Sequence, residues 1–388
     1  MTAPLDVNEA ANEAYAALAR GDARSAKALL DKILALQPNN TGLWLAKANA
    51  AGALGEDGEK SEAIDRALAI DPSSLQALIA KADHLTEAGD LRGASAYYRT
   101  ALRYMPRFGQ LPVAAQQGLL RAKAATERVA RELEDFVRAK LDAEGVSDDR
   151  ASARFGRAVD VLLGKKKAYV QEPRYFFFPE LPNIQFYERR DFPWMDRVEA
   201  ATAIVREELA AVIGGDFAPY VTKTLGRPQG DEQGLINNPN WSAYFLRKNG
   251  ADQPGAARCP RTLDALSDAP LTTIPGRAPS VLFSKLAAGA HIPPHTGMIN
   301  ARLICHLPLI VPDGCEFRVG NDVRTWSEGK AWAFDDTIEH EAFNRSAVDR
   351  YILIFDIWRP ELSEAERAGV TALCTAIDSY RGASDWDA

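Results

Sequence analysis

Histidines are the residues of this sequence whose number and spacing most directly suggest chemistry. The 388-residue chain contains five histidines, and four of them, His291, His295, His306 and His340, fall within one 50-residue stretch. Neutral imidazole is a favoured ligand of iron, zinc and copper, and neighbouring strands can bring several such side chains into one cavity. The cluster therefore predicts a metal site in this stretch.

The third ligand of such a site is not evident from the spacing. Non-haem iron oxygenases commonly use two histidines and one carboxylate, which leaves open positions for a co-substrate and dioxygen. In this chain the candidate first ligand, His295, is followed by Thr296 and Gly297 rather than by a carboxylate. From the residues alone, a water molecule could complete the coordination, or a carboxylate could arrive from elsewhere, such as Asp335 or Asp336.

Short β-strands are predicted to position this cluster. After residue 172 the chain becomes rich in proline, aromatic and β-branched residues, and turn residues recur about every 8 to 12 positions. The segments that best fit strands are 281–284, 301–307, 315–319, 331–334 and 351–358. Such spacing is typical of a β-sandwich or barrel, and we predict a double-sheet jelly roll, that is, a double-stranded β-helix.

A 34-residue repeat organises the N-terminal part of the chain. The residues that recur at this interval are Pro38, Pro72 and Pro106, Gly21, Gly55 and Gly89, and Ala14, Ala48 and Ala82. Each glycine precedes an alanine-rich helical stretch, which the following proline should end. The pattern resembles tetratricopeptide helix-turn-helix repeats over about residues 8 to 110, which stack to bury their apolar faces.

This repeat pattern has consequences for domain organisation and for partners. We predict an α+β multidomain chain with an all-α tetratricopeptide solenoid over 1–112, a helical connector over 113–170 and a jelly-roll domain over 171–388. Solenoids of this type generally bind peptides or proteins on a concave face. We therefore expect a peptide or protein partner, and the alternative is a scaffold used only for oligomerisation or capping.

Bulk composition restricts the remaining classes of partner. The formal net charge is −7, so nucleic acid is not an expected partner. The four cysteines form no CxxC pair, which argues against a zinc knuckle or a disulfide framework and favours a reducing cytoplasm. Because no stretch of about 18 uninterrupted apolar residues occurs and no signal-peptide pattern is present, we expect a cytoplasmic protein without membrane association.

The motifs around the histidines resemble the aspartyl/asparaginyl β-hydroxylase family. The matching segments read PHTG at 294–297, NARLICHL at 300–307, PDGC at 312–315, WSEGK at 326–330, FDDTIEHE at 334–341 and FDIWRP at 355–360. The resemblance covers about residues 170 to 365, and that family is known for a glycine in place of the acidic third ligand. It implies a jelly-roll dioxygenase that uses iron(II), 2-oxoglutarate and O2 to hydroxylate an aspartyl or asparaginyl residue in a peptide or protein.

Individual roles also follow from that resemblance. His295 and His340 match the two metal ligands, and Arg350 matches the arginine that binds the distal carboxylate of 2-oxoglutarate. Ser284 and His306 match residues that assist co-substrate binding. The residues on the expected substrate side are Arg302, Trp241, Arg258 and Arg261. Asp335 and Asp336 are expected to orient the strand that carries the second histidine rather than to bind metal.

One departure from the family concerns the substrate. Relatives that hydroxylate aspartyl residues tend to carry a second arginine where this chain has Ile304. Loss of a guanidinium removes about 1.5 to 3 kcal/mol of charge-assisted binding, which is enough to change a preference between acidic and neutral substrates. Two alternatives stay open: an oxygenase that acts on a lipid or small molecule, since relatives of this family hydroxylate lipids, and a repeat-based binding scaffold whose oxygenase domain is inactive.

Overall fold

The chain folds as two compact units. A computed structural model describes residues 6–105, 113–146, 153–215, 217–223 and 234–381. Contacts divide the chain into Met1–Lys165, called the helical unit below, and Lys166–Ala388, called the β unit. The predicted division into three segments stays a prediction, and its boundary at residue 112 lies outside the described residues, as does the repeat proline Pro106.

Three helical hairpins form the first part of the helical unit. Their helices are α1 (Val7–Ala19), α2 (Ala23–Leu36), α3 (Thr41–Ala53), α4 (Asp57–Ile70), α5 (Leu75–Glu87) and α6 (Leu91–Tyr104). The first helices of the hairpins start at residues 7, 41 and 75, and the second helices start at 23, 57 and 91, so both sets recur every 34 residues. This arrangement confirms the predicted tetratricopeptide-type repeats.

Turn glycines and small core residues make this repeat possible. Gly21, Gly55 and Gly89 have φ values of 83°, 74° and 82°, a conformation that glycine adopts without strain at the end of a helix. Ala14 and Ala82 have no exposed surface, because they lie where packed helices approach closely. A larger side chain at either position would force the helices apart.

Two further helices, α7 (Val113–Ala143) and α8 (Ala153–Leu162), lie in the segment predicted as a helical connector. Leu119 of α7 packs in one buried cluster with Leu75 and Ile79 of α5. The start of α7 therefore covers an apolar face that the last hairpin would otherwise expose. None of the described helices is both long enough and apolar enough to cross a bilayer.

Antiparallel strands dominate the described part of the β unit. The strands are β1 (Ala218–Pro219), β2 (Trp241–Lys248), β3 (Ala251–Asp252), β4 (Val281–Leu286), β5 (His291–His295), β6 (Arg302–Ile310), β7 (Cys315–Val319), β8 (Asp322–Thr325), β9 (Trp332–Phe334), β10 (His340–Asn344) and β11 (Arg350–Trp358). The helices are α9 (Met195–Ala200), α10 (Thr202–Ala210), α11 (Pro254–Arg258), α12 (Pro260–Ala265) and α13 (Glu364–Arg381). The predicted change from a helical to a β-rich region is confirmed.

The strands form two sheets that pack face to face. The larger sheet has the order β1-β2-β4-β11-β6-β9, with β3 paired to β2, and the smaller sheet has the order β5-β10-β7-β8. One buried cluster contains Leu286 and Ile352 of the larger sheet together with Phe317, Val319 and Ala342 of the smaller sheet. This apolar layer between the sheets is called the inner layer below.

The opposite face of the larger sheet packs on helices. Leu303 and Cys305 of β6 and Leu353 of β11 share a buried cluster with Val205 and Leu209 of α10. Because successive residues of a strand point to opposite faces, the alternate residues of β6 and β11 are directed to the inner layer. β6 and β11 therefore contribute side chains both to the inner layer and to the core between the larger sheet and the helices.

Candidate active site

Two histidines of the smaller sheet lie side by side. His295, the last residue of β5, is paired directly with His340, the first residue of β10. The centres of their rings are 4.1 Å apart. The His340 ring also contacts Phe317 and Phe334 of the inner layer, at 5.9 and 5.4 Å between ring centres. The structure therefore brings the two predicted metal ligands together at one edge of the inner layer.

The hydrogen bonds of these histidines leave one nitrogen of each ring available. His295 Nδ1 lies 2.8 Å from the carbonyl of Pro293, and His340 Nδ1 lies 3.0 Å from the carbonyl of Ile338. Since a carbonyl only accepts hydrogen bonds, Nδ1 carries the proton and Nε2 keeps its lone pair. Burial lowers the pKa of His295 and holds the pKa of His340 well below its usual value. Both rings are therefore neutral, as metal ligation requires.

A side chain at residue 297 has no room to act as a third ligand. A Cβ atom on Gly297 would collide with the carboxylate of Asp336. The backbone of Gly297 also donates a hydrogen bond of 2.6 Å to the Asp336 carbonyl. Among the described residues, no group of three or more His, Cys, Asp or Glu side chains is arranged to hold a metal ion. The metal ligands that the described residues offer at this site are therefore two imidazole nitrogens.

Asp335, the other carboxylate considered from the sequence, belongs to a buried network. Its Oδ2 lies 2.8 Å from Nη1 of Arg359, and neither side chain is exposed. Gln171 donates to the same oxygen at 2.6 Å, and the backbone of Thr337 donates to Oδ1 at 3.0 Å. These bonds fix the turn that leads into His340.

Arg350 is a buried guanidinium without a carboxylate partner among the described residues. It is 2% exposed, and its Nε has no hydrogen-bond partner. Its Cζ lies 4.9 Å from the centre of the Trp326 ring. Burial lowers the pKa of Arg350 to about 10. A buried charge without a partner is costly, and such an arrangement is typical of a site that binds an anion.

Ser284 and Trp241 lie close to Arg350 in the larger sheet. Trp241 and Arg350 are both paired with Leu286, from opposite sides of β4, and Ser284 is two residues earlier on β4 and on the same face. Trp241 Nε1 donates to Ser284 Oγ at 3.3 Å. The Trp241 ring centre is 5.8 Å from that of His295. These contacts connect the two sheets at the site.

His306 is buried on the same face of the larger sheet. Trp326 Nε1 donates to His306 Nδ1 at 3.4 Å, which leaves Nε2 as the protonated nitrogen of the neutral ring. Burial holds the pKa of His306 well below its usual value, and the charge of Arg350 lowers it further. Trp326 contacts both His306 and Arg350, although the sequence marks it only as part of a matching motif.

Arg302 is held by two buried carboxylates. Its Nη1 lies 3.2 Å from Asp356 Oδ2, and its Nη2 lies 3.5 Å from Asp336 Oδ2. Burial raises the pKa of Asp336 to about 7, although the charge of Arg302 acts in the opposite direction. Ile304, between Arg302 and His306 on β6, is half-buried and packs against the inner layer.

Arg258 and Arg261 make their contacts on the helical side of the β unit. Arg258 donates to the carbonyl of Ala211 at 2.9 Å. Arg261 lies 3.0 Å from Glu207 and 3.3 Å from Glu208, both on α10. The other predicted site residues are gathered at the inner layer, and the structure does not bring these two arginines into that group. Their assignment to the substrate side stays a prediction.

The architecture and the site together define a class of protein. It has two antiparallel sheets, and the layer between them carries a pair of neutral histidines and a buried arginine. Residues 199–360 match the model of the family described as Aspartyl/Asparaginyl beta-hydroxylase. This match confirms, over residues 199–360, the resemblance seen in the motifs.

Individual relatives cover different shares of the chain. The human aspartyl/asparaginyl beta-hydroxylase is 36% identical over 184 residues, which is 46% of this chain and 24% of that protein. The ornithine lipid ester-linked acyl 2-hydroxylase of Rhizobium tropici is 33% identical over 193 residues, which is 48% of this chain and 65% of that protein. The Sgt2 TPR domain of Aspergillus fumigatus aligns with 33% of this chain and 83% of its own, at 23% identity and a TM-score of 0.29.

Proposed function

We propose that the β unit is an iron(II)- and 2-oxoglutarate-dependent dioxygenase. The observation that carries this proposal is the buried guanidinium of Arg350, which lies without an ion pair to any described residue on the layer that also holds His295 and His340. A dicarboxylate that binds metal at one end needs a cation for its far carboxylate, and an arginine offers two parallel donors for it. The family match supports the same reaction class.

The chain's own residues fit this chemistry. Nε2 of His295 and Nε2 of His340 would hold the metal, and Gly297 would supply no side chain as a third ligand. When bound, iron(II) with O2 and 2-oxoglutarate supplies oxidation of a C–H bond to C–OH, with release of CO2 and formation of succinate. Arg350 and Ser284 would bind the distal carboxylate, and Nε2–H of His306 would donate a hydrogen bond to the co-substrate.

We infer that the two sheets are the two halves of a jelly roll. From β4 onward the chain alternates between them, except that the consecutive strands β7 and β8 share one sheet: β4, β6, β9 and β11 belong to the larger sheet, and β5, β7, β8 and β10 belong to the smaller sheet. This alternation is expected of a double-stranded β-helix, in which a ligand binds between the sheets.

For the substrate, the proposal is an aspartyl- or asparaginyl-type residue of a peptide or protein. The name of the human relative supports this class, and the three hairpins of the helical unit offer a surface for capturing such a chain. Photo-crosslinking of a bound peptide should label α1, α3 and α5, the first helices of the hairpins. Labelling confined to the β unit would contradict a capture role.

A second candidate is hydroxylation of an acyl chain. It is favoured by the Rhizobium tropici relative, whose name describes an acyl 2-hydroxylase. In either case we propose a cytoplasmic site of action, since Cys259, Cys305, Cys315 and Cys374 are all free and buried. Cross-linking of these thiols in protein isolated under non-reducing conditions would contradict that location.

The proposal is tested by reconstitution. The full chain is loaded anaerobically with iron(II), 2-oxoglutarate is added, and the weak visible charge-transfer band is recorded. We expect the band in the wild type and its loss in His295→Ala and Arg350→Ala. Arg345→Ala is the matched control, because Arg345 is half exposed and pairs only with Glu316 among the described carboxylates. Absence of the band from the wild type would overturn the dioxygenase and favour a binding scaffold.

A further inference from the structure

A cavity separate from the histidine pair lies at one edge of the β unit. β8 and β9 are the last strands of the smaller and the larger sheet. Beside β9, Phe186 bridges to Phe334, and Tyr187 donates a backbone hydrogen bond to Ala333 at 3.0 Å. Residues of this added segment, of β8 and of β9 line a cavity of about 190 Å³, called the edge cavity below. None of the residues assigned to the candidate active site lines it.

One wall of the edge cavity is apolar and fixed by packing. Tyr187, Phe192 and Met195 line it and are buried, and the half-buried Trp332 lines it as well. A cavity of about 150 Å³ lined by apolar side chains is large enough to hold benzene. The edge cavity can therefore accept one aromatic ring or an aliphatic body of similar size.

Arg324 brings an unmatched positive charge to this cavity. Its side chain is half-buried and lines the cavity, and its Cζ lies 4.1 Å from the centre of the Phe186 ring. No described carboxylate forms an ion pair with it, and Glu188 and Asp322 act on it only through longer-range charge. Burial lowers the pKa of Arg324, although a guanidinium stays protonated at neutral pH. A half-buried cation without a partner favours binding of an anion beside it.

A second arginine stacked on phenylalanine shows that this lack of a partner is not a result of stacking. Arg345 Cζ lies 4.2 Å from the centre of the Phe343 ring, and the guanidinium also pairs with Glu316. Arg324 has the same stacking geometry and lacks the carboxylate. The two arginines therefore form a matched pair for experiments.

Trp332 offers a second donor at the edge cavity. Its Nε1 is buried, and no described residue accepts its hydrogen. An unsatisfied buried donor costs about 1 to 3 kcal/mol, which an acceptor on a ligand would offset. The other cations that line the cavity, Arg189 and Lys330, both pair with Glu199, at 3.3 and 3.2 Å. Arg324 is thus the lining cation that has no ion pair within the described part of the chain.

We propose that the edge cavity binds a small monocarboxylate with an apolar body. Its carboxylate accepts hydrogen bonds from Arg324 and from Nε1 of Trp332, and its body packs on the buried apolar wall. Glu188, which is exposed and also lines the cavity, repels a second negative charge. The site therefore disfavours dicarboxylates such as 2-oxoglutarate. This inference does not depend on the proposed dioxygenase function.

The test compares phenylacetate with its neutral analogue phenylacetamide. Dissociation constants are measured by ligand-observed NMR titration of the full chain, with chelator present and at low ionic strength. We expect phenylacetate to bind about tenfold more tightly than phenylacetamide, because a hydrogen bond to a charged group contributes about 1.5 to 3 kcal/mol. Phenylmalonate, which carries a second carboxylate, should bind more weakly than phenylacetate. Tighter binding of phenylmalonate would contradict a monocarboxylate site.

Substitutions locate the bound probe. Arg324→Met keeps an apolar side chain over Phe186 and removes the cation, so phenylacetate should bind about tenfold more weakly and phenylacetamide should be little changed. Arg345→Met is the matched control, because it removes a stacked guanidinium that already has a carboxylate, and it should change neither constant. Arg350→Ala should also leave phenylacetate binding in place, since Arg350 does not line the cavity.

Two further variants separate loss of the donors from loss of the fold. Arg324→Lys retains a positive charge and should retain the preference for the anion. Trp332→Phe keeps the apolar wall and removes the N–H group, which should weaken phenylacetate binding about threefold or more. Equal binding of phenylacetate and phenylacetamide, no binding of either, or loss of binding in Arg350→Ala rather than in Arg324→Met would overturn the inference. Failure of the dioxygenase proposal is distinct, because these titrations contain no iron.

Discussion

The helical unit and the β unit differ in what they bury. In the helical unit, residues such as Ala26, Ala50 and Ala63 are fully buried and small, and they pack helices that are neighbours along the chain. In the β unit, the largest fully buried side chains include Arg350 and Arg359. Regular small residues therefore specify a scaffold, whereas a buried charge marks a position that has a polar partner or is built to receive one.

The largest expected difference in stability between the two units comes from Asp335→Ala, which should destabilise the β unit. The variant removes the buried carboxylate that pairs with the fully buried guanidinium of Arg359 and leaves it only the partly exposed Glu361, at 3.5 Å. Breaking a buried ion pair on one side costs about 3 to 5 kcal/mol, and the helical unit should keep its own stability. Six of the seven tryptophans follow residue 165, so urea unfolding is followed by tryptophan fluorescence for the β unit and by circular dichroism at 222 nm for the helices.

A matched control for that substitution is Asp349→Ala. Asp349 pairs with Lys285 at 2.8 Å, but both side chains are about 30% exposed, and exposed pairs contribute about 0 to 1 kcal/mol. If Asp335→Ala shifted the fluorescence midpoint no more than this control, or lowered the stability of both units equally, the distinction between the units would be wrong.

A smaller effect is expected from acid, again confined to the β unit. Because burial holds the pKa of His306 well below its usual value, the unfolded state binds the proton more readily. The histidine's contribution to stability is therefore complete above its unfolded pKa of about 6.5 and is lost as pH falls toward the folded value. We expect a loss of about 1.4 kcal/mol per pH unit over that window.

Comparison with a variant isolates this contribution of His306. Burial raises the pKa of Asp336 to about 7, so Asp336 changes the stability in the opposite direction between its unfolded value and pH 7. The measurement is the difference in urea midpoints at pH 6.5 and 5.5, with chelator present, between the wild type and His306→Leu. Equal pH dependence in the two proteins would contradict a neutral, buried imidazole.

The smallest effect is expected in the helical unit, from Asp90→Ala. Asp90 caps α6, and its carboxylate accepts a hydrogen bond from the backbone of Gly93 at 2.8 Å. Loss of an N-cap costs about 1 kcal/mol, which should lower the circular dichroism midpoint and leave the fluorescence midpoint unchanged. Glu62→Ala, at an exposed position on α4, should leave both midpoints in place.

The sequence predicts the helical unit well, because its signal is local. The glycines at 21, 55 and 89 and the buried alanines act within one repeat, so their interval alone indicates hairpins and their boundaries. In the β unit, the strands that run through β-branched residues, such as β6 and β11, are also predicted. The strand β5 is not, because Pro293 and Pro294 are unusual in strands.

Side-chain partners at the site are much less predictable. The pairing of His295 with His340 follows from motifs 45 residues apart, but the engagement of Arg302 by Asp336 and Asp356 depends on sheet register, which the sequence does not display. The contact of Trp326 with both His306 and Arg350 likewise depends on how distant segments pack together. Long-range pairing decides these contacts, and no local pattern encodes it.

The site takes its two halves from opposite walls of the inner layer. His295 and His340 belong to the smaller sheet, whereas Arg350 and Ser284 belong to the larger sheet. Facing sheets are about 10 Å apart, and packing residues such as Phe317 set that thickness. Under the proposed function, the length of a diacid that could reach from one wall to the other would therefore be set by core packing. Selectivity between shorter and longer 2-oxo diacids would then depend on packing residues such as Phe317, which need not touch the diacid themselves.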